Sequence, residues 1–464
     1  MLFNSLAYLV FLPVTVGVYW ELPRRWRPWM LLAASYVFYG AWDVRFLALI
    51  LLSTVVDHAV GIRLGMTEAP LRRRRLVAAS VVVNLGILAT FKYWGFFVES
   101  AADLVSRFGL QPHLPVLSVV VPVGISFYTF QTMAYTIDVY RGTIDPERRF
   151  VVFALYVAFF PQLVAGPIER ARRLLPQLAD LPLRPTRDDL EAGIRLIAVG
   201  FVKKVVIADT VAPVVDRVFG DPAGAGALAL ATGVVGFAVQ IYGDFSGYTD
   251  IARGSARLLG VHLVENFRRP YWASNITDFW RRWHMSLSSW LRDYLYIPLG
   301  GNRRGRRRTY LNIAAVMLLG GLWHGAAWTF VAWGALHGAM LALHRWSRER
   351  GLLGGGPTRW GWALTMLGVL VGWVFFRAPD FSTAWTVLAG IASGRPGAVD
   401  PAGLVFVTLA VLGVWWLDRS EHAGSVNPVA SAPALVRGLA YGVALVFAIV
   451  GGASSPNQFI YFQF

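Results

Sequence analysis

Long stretches of the chain carry no Asp, Glu, Lys or Arg. Met1 to Trp20, Leu114 to Ile137, Phe150 to Ile168, Pro222 to Gly243, Thr309 to His344, Trp360 to Phe376 and Gly438 to Phe464 are all charge-free. Shorter apolar runs lie at Pro28 to Trp42, Leu76 to Phe91 and Pro401 to Leu417. A helix needs about 20 apolar residues to cross the hydrocarbon core of a bilayer, so the spacing predicts an all-α polytopic membrane protein with about 9–12 spans. No repeat or heptad interrupts the pattern, and residues 1–464 read as a single membrane-embedded domain. Gly351 to Pro357, Gly394 to Pro401 and Gly424 to Pro433 read as loops joining late spans.

The charges between the runs give an orientation. Arg24, Arg25 and Arg27 follow the first run, Arg72 to Arg75 follow the next hairpin, and Arg141, Arg148 and Arg149 follow a third crossing. By the positive-inside rule these loops are cytoplasmic and the N-terminus is outside, as expected for a multi-pass membrane protein. No basic n-region or cleavage site flanks the first run, which reads as a retained span. The alternation fails after Phe150, where Arg170, Arg172 and Arg173 would emerge on the wrong side. A re-entrant segment around Phe159 to Pro167, broken by Pro161, Gly166 and Pro167, restores it.

Composition narrows the chemistry. The 464 residues are 56% hydrophobic and 15% charged, which excludes a disordered chain. There is no cysteine, so disulfides, thiolate metal sites and a cysteine nucleophile are excluded, and zinc could be held only by His and carboxylates. The 43 basic and 27 acidic residues give +16, but the basic ones fall in short clusters between apolar runs, as in membrane loops rather than a nucleic-acid surface.

Three stretches depart from plain membrane filler. Thr309 to His344 spans 36 charge-free residues. As one helix it would be about 54 Å long, far more than a bilayer core of about 30 Å. It must tilt, emerge or break, and Gly320, Gly321 and Gly325 mark the break. His324 sits there, and an intramembrane histidine is either a functional group or a packing residue hydrogen-bonded to a neighbour. His337 reads as a packing residue, and His344 as the cytoplasmic or interfacial end. These three are too far apart along a helix to form one metal site.

Phe279 to Gly305 interleaves Trp280, Trp283, Trp290, Tyr294 and Tyr296 with Arg281, Arg282, Arg292 and Asp293. It reads either as an interfacial helix with a solvated His284 or as a functional segment. Arg303 to Arg308 reads as a topology signal, with phosphate binding as the alternative. In Gln240 to Gly260, Asp244 and Asp250 read as an acid/base pair or, better, as ion-paired residues, with Arg253 and Arg257 at helical spacing from Asp250. Asp138 with Arg141 reads likewise, and Lys203, Lys204 and Asp209 read as an interfacial helix end.

Together these motifs resemble the membrane-bound O-acyltransferase family, in its bacterial alginate O-acetyltransferase branch. The resemblance is carried by SFYTFQTMAYTIDVYRG from Ser126, FFPQLVAGPIER from Phe159, GDFSGYTDIARG from Gly243, and NFRRPYWASNITDFWRRWHMSLSSWLRDYLYIPLGG from Asn266. GLWHGAAWTF from Gly321, GWVFFRAP from Gly372 and the final FIYFQF extend it. It implies a ring of tilted helices around a central tunnel, an active-site histidine at His324 and a second functional histidine at His284. Trp323, Trp283, Trp280, Tyr296 and Asp244 are the expected substrate-binding residues.

The implied reaction moves an acyl group, acetyl above all, from a cytoplasmic thioester such as acetyl-CoA to a hydroxyl outside. His324 would act as general base, with a covalent acyl-histidine as a variant. No cofactor is expected to be permanently bound. The acceptor would be a surface polysaccharide or a partner extracytoplasmic acetyltransferase. Competing readings are a D-alanyl transferase for teichoic acids fed by a carrier protein, and a polysaccharide transporter or scaffold; the transporter reading lacks the repeated halves common in that class.

Overall fold

A computed structural model describes residues 1–110, 121–164, 166–352, 356–398, 400–422, 432–433, 435–436, 438–439, 441–443, 446 and 459–460. The described residues form helices and no strand. The last expected span, three of the expected loops and most of the FIYFQF motif lie wholly or partly outside them. Among the described residues five helical stretches are long and apolar enough to cross a membrane: Val44–Gly65, Pro70–Ser106, Ala227–Leu258, Arg359–Arg377 and Pro401–Ser420. Leu6–Glu21 and Phe381–Ala392 are apolar but shorter.

The chain divides into two compact units. The first comprises Met1, Ala7–Ile194 and Ala252–Val264; the second comprises Leu2–Leu6, Arg195–Ile251 and Glu265–Phe464.

In the first unit, α1 (Leu6–Glu21), α2 (Arg27–Gly40), α3 (Leu47–Gly65), α4 (Pro70–Leu88), α5 (Trp94–Ser106) and α6 (Ile125–Tyr140) precede α7 (Phe150–Ala158), α8 (Phe160–Leu163) and α9 (Ala171–Ala179). A polar node ties three of these helices together. Asp57 of α3, fully buried, accepts hydrogen bonds from Asn84 Nδ2 of α4 at 2.7 Å, from Thr136 Oγ1 of α6 at 3.0 Å and from Ser80 Oγ. A carboxylate among apolar helices is tolerable when its lone pairs are filled in this way. Arg73 donates to the carbonyls of Leu64 and Tyr140, at 2.6 and 2.8 Å, which caps the C-terminal ends of α3 and α6.

The expected interruption near Phe159 is present. Helix α7 has nine residues, about 14 Å at 1.5 Å per residue, and Phe159 breaks it at φ −53°, ψ 107°. The carbonyl of Tyr156, left without its helical partner, accepts from Gln131 Nε2 at 2.6 Å and Gln162 Nε2 at 2.9 Å.

Next in the chain come α10 (Arg187–Phe201), α11 (Asp209–Gly220) and α12 (Ala227–Leu258), with Arg187–Ile194 and Ala252–Leu258 counted in the first unit. The second unit continues with α13 (Ile276–Trp280), α14 (Met285–Leu291), α15 (Gly305–His324), α16 (Trp328–Glu349), α17 (Arg359–Arg377), α18 (Phe381–Ala392) and α19 (Pro401–His422). The 36-residue charge-free run is therefore two helices, α15 and α16, with Gly325–Ala327 between them.

Some local pairings differ from those expected. Asp250 pairs with Lys203 at 2.8 Å, and Arg257 pairs with Asp189 at 2.6 Å rather than with Asp250. Helical spacing makes two side chains neighbours, but a partner on another helix wins where it offers a more buried, better-directed pair. Lys203 and Lys204 are buried rather than at an exposed helix end, because Asp250, Asp209 and Asp244 lie beside them in the interior.

Candidate active site

The site is built from three pieces of the second unit. The first is the α15–α16 hairpin. A Cβ at Gly321 would lie 2.3 Å from the Phe330 carbonyl oxygen, and one at Gly334 2.3 Å from that of Met317. The absence of side chains at these two positions lets the helices touch backbone to backbone. His324, the last residue of α15, is thereby delivered against Trp333 of α16, with ring centroids 5.0 Å apart. Trp323 at 5.0 Å and Phe376 of α17 at 5.3 Å also meet it edge-on, and only 3% of the residue is exposed.

The second piece is the turn between α13 and α14. His284 adopts the left-handed conformation, φ 42° and ψ 55°, which costs a non-glycine residue about 1–3 kcal/mol. The surroundings impose it. Asn266 O accepts the Met285 N–H at 2.9 Å, and Arg268 N–H donates to Arg282 O at 2.9 Å, so the preceding strand-like segment clamps both flanks of the turn.

Asn266 Oδ1 also accepts the Ser286 backbone N–H at 3.2 Å and the Ser286 hydroxyl at 2.8 Å. That assigns Oδ1 as an acceptor, so His284 Nδ1, 3.1 Å away, is the donor. The neutral ring then carries its lone pair on Nε2. His284 is fully buried, 4.8 Å from the Phe245 ring and 6.3 Å from His324.

The third piece is an aromatic wall. Trp283, buried, stacks on Phe279 at 5.8 Å and meets Trp373 of α17 at 4.9 Å; Trp280 meets Trp333 at 5.7 Å. Within Phe279 to Trp290, Phe279, Trp283, His284 and Trp290 are buried, so His284 is not solvated. Arg281 is exposed and Arg282 pairs with Asp278 at 2.9 Å, while Phe279, Trp283 and His284 fill the core, a division that composition alone does not reveal.

Of the residues expected from sequence, His324, His284, Trp323, Trp283 and Trp280 come together. Asp244 sits beside them but is engaged in an ion pair with Lys204 at 2.8 Å and accepts the Ile460 N–H at 2.6 Å. Its neighbour Phe245 is the residue that touches His284. Tyr296, half-buried on the π-helical turn Arg292–Tyr296, has its ring beside Gly301, and its carbonyl accepts the Gly301 N–H at 2.9 Å. Asn266, Phe245 and Phe376 escaped the sequence reading; Asn266 precedes its histidine by 18 positions, which no local periodicity flags. Among the described residues no three His, Asp or Glu side chains gather as a metal-ligand set.

Comparison with known proteins agrees with this architecture. Residues 145–350 match the model of MBOAT, the membrane-bound O-acyltransferase family. The chain is 44% identical over 398 residues to a protein of Azotobacter vinelandii named "Probable alginate O-acetylase AlgI", covering 85% of this chain and 78% of that one. It is 35% identical over 427 residues to the "Peptidoglycan O-acetyltransferase" of Helicobacter pylori, covering 84% and 80%. To the "Teichoic acid D-alanyltransferase" of Bacillus subtilis it is 28% identical over 260 residues, covering 52% and 64%.

Proposed function

The chain belongs to the membrane-bound O-acyltransferase family, and on that premise we propose that it transfers an acetyl group from a cytoplasmic thioester to a hydroxyl outside the membrane. The acceptor is a surface polysaccharide or an extracytoplasmic acetyltransferase that passes the group on, and acetyl-CoA is the donor. The protein resides in the bacterial inner membrane with its N-terminus outside. Relatives named for O-acetyl transfer align over most of the chain, whereas the D-alanyl transferase aligns over about half, which supports acetyl over D-alanyl.

The observation that carries the mechanism is the buried histidine pair, His284 with its proton held on Nδ1 and His324 at 6.3 Å. In the reaction the acceptor oxygen attacks the thioester carbon, a C–O bond forms, and the C–S bond breaks. His324 takes the hydroxyl proton as general base and returns it to the departing thiolate. The aromatic walls of Trp323, Trp333 and Phe376 keep bulk water from the thioester. A lone pair on His284 Nε2 suits it to accept a hydrogen bond from a substrate O–H or N–H and so position the acceptor. A neutral imidazole in that tautomer cannot donate from Nε2 to a carbonyl.

The test is mass spectrometry of ester-linked acyl groups on surface polymers of a deletion strain carrying wild type, His324→Ala or His284→Ala at matched membrane abundance. Loss of one acyl species in both variants is expected. An unchanged acyl pattern in His324→Ala would overturn the assignment. Cell-free transfer from a D-alanyl carrier but not from labelled acetyl-CoA would replace acetyl by D-alanyl.

A further inference from the structure

His337 was expected to do no more than pack helices, yet its surroundings are those of a binding group. It lies one turn after Trp333 on α16 and is fully buried among Phe279, Trp280 and Trp333, with ring centroids at 6.1, 5.2 and 4.7 Å. Among the described residues neither of its ring nitrogens has a hydrogen-bond partner, and the same holds for the indole Nε1 of Trp280 and of Trp333. Four unpaired polar atoms on three touching side chains are costly, at about 1–3 kcal/mol each for a buried group. A core that needed only volume here would be filled by Phe or Leu.

The position is also held tightly. A Cβ on Gly372 of α17 would stand 2.9 Å from His337 Nε2 and 3.4 Å from Trp333 Cδ1, so α17 lies directly against these two side chains. Trp333 is the ring shared with His324, at 5.0 Å.

We propose that His337 is a third functional histidine, which with the indole N–H groups of Trp280 and Trp333 forms a hydrogen-bonding seat for an acceptor oxygen beside His324. Indoles only donate, so the occupant must accept. It is the carbonyl oxygen of the acyl donor, whose developing charge such donors stabilise, or a water molecule that relays the proton handled by His324. This rests on the acyl-transfer reading above, with His337 acting alongside its general base.

The experiment uses full-length protein in lipid nanodiscs, labelled acetyl-CoA as donor, and His337→Phe and His337→Gln compared with wild type. A packing residue is better replaced by Phe, which keeps the ring and removes the unpaired atoms; a hydrogen-bonding residue is better replaced by Gln, which keeps an N–H donor. The seat predicts that His337→Phe folds with wild-type or higher thermal stability yet loses roughly 10²-fold in transfer, while His337→Gln loses less. Trp280→Phe, which keeps the ring and removes one donor, should also slow transfer, and it serves if His337→Phe fails to fold.

Infrared difference spectra with carbonyl-labelled acetyl-CoA separate the two occupants. A carbonyl stretch lowered in wild type but not in His337→Phe identifies the thioester; the same stretch in both identifies the relay water. Wild-type transfer by His337→Phe, with His324→Gln inactive, would overturn this proposal alone. Full activity in both variants would overturn the general-base reading as well.

Discussion

Asn266 Oδ1 stands 3.1 Å from His284 Nδ1 and simultaneously accepts two hydrogen bonds from Ser286. One side-chain amide thereby sets both the tautomer of a buried histidine and the strained turn that carries it. Such outer partners fix the orientation and tautomer of an imidazole, and at metal-bound histidines their loss costs on the order of 10–100-fold in activity.

Asn266→Ala should therefore reduce acyl transfer by roughly 10–100-fold while leaving the protein in the membrane. Asn266→Asp, which keeps the acceptor and adds a negative charge, should favour the protonated imidazole and shift the pH–activity profile upward. Transfer assays across pH at matched abundance check both; an Asn266→Asp profile identical to wild type would show that the contact does not tune His284.

Gly321→Ala should disrupt the hairpin that presents His324. The new methyl would meet the Phe330 carbonyl at 2.3 Å, a backbone atom that cannot swing away. Overpacking of this kind costs about 1–3 kcal/mol, so a lower melting temperature in detergent and a loss of transfer are expected together. Gly86→Ala, where nothing lies within 4 Å, is the control and should melt like wild type or slightly higher.

Lys204 is buried between two carboxylates, Asp209 and Asp244, each at 2.8 Å. Lys204→Met leaves both without their cation, and breaking a buried pair costs about 3–5 kcal/mol. Membrane yield and thermal stability should fall sharply. If they hold while transfer is lost, Asp244 acts on substrate rather than on the fold.

Acid should loosen the start of α10. Burial tends to raise the Asp189 carboxyl, but hydrogen bonds from Arg257 and Thr186 and the charges of His262 and Arg257 outweigh it and hold the group below its ordinary 3.8. A carboxyl depressed in the folded state stabilises it above the unfolded pKa, and that stability is lost as pH falls through the folded value. The melting temperature should thus drop as pH falls below about 4, and Asp189→Asn should melt lower at neutral pH with a smaller acid-induced drop. Equal acid sensitivity of the two proteins would remove Asp189 from the account.

Much of this molecule was legible because the bilayer constrains it in one dimension. A charge-free run too long for one span had to break, and the break fell at Gly325–Ala327 beside His324. A run containing Pro161 could not cross as one helix, and α7 stops at Ala158. Helical character, membrane embedding and the break that carries His324 were therefore read from residue order, since hydrophobic length and helix breakers act locally, whereas His284 stood out through the family resemblance.

The tertiary structure decided what no local rule carries. Arg257 takes Asp189 rather than the aspartate two turns before it, Phe279 and Trp283 turn inward, and His284 meets an amide 18 positions before it. Each depends on which distant surfaces the packing brings within 3 to 6 Å, and on the interior favouring buried, directional partners over neighbours along the helix. Sequence named the histidines as candidates; only the fold put them side by side, chose the tautomer of one, and gathered Trp280 and Trp333 around His337.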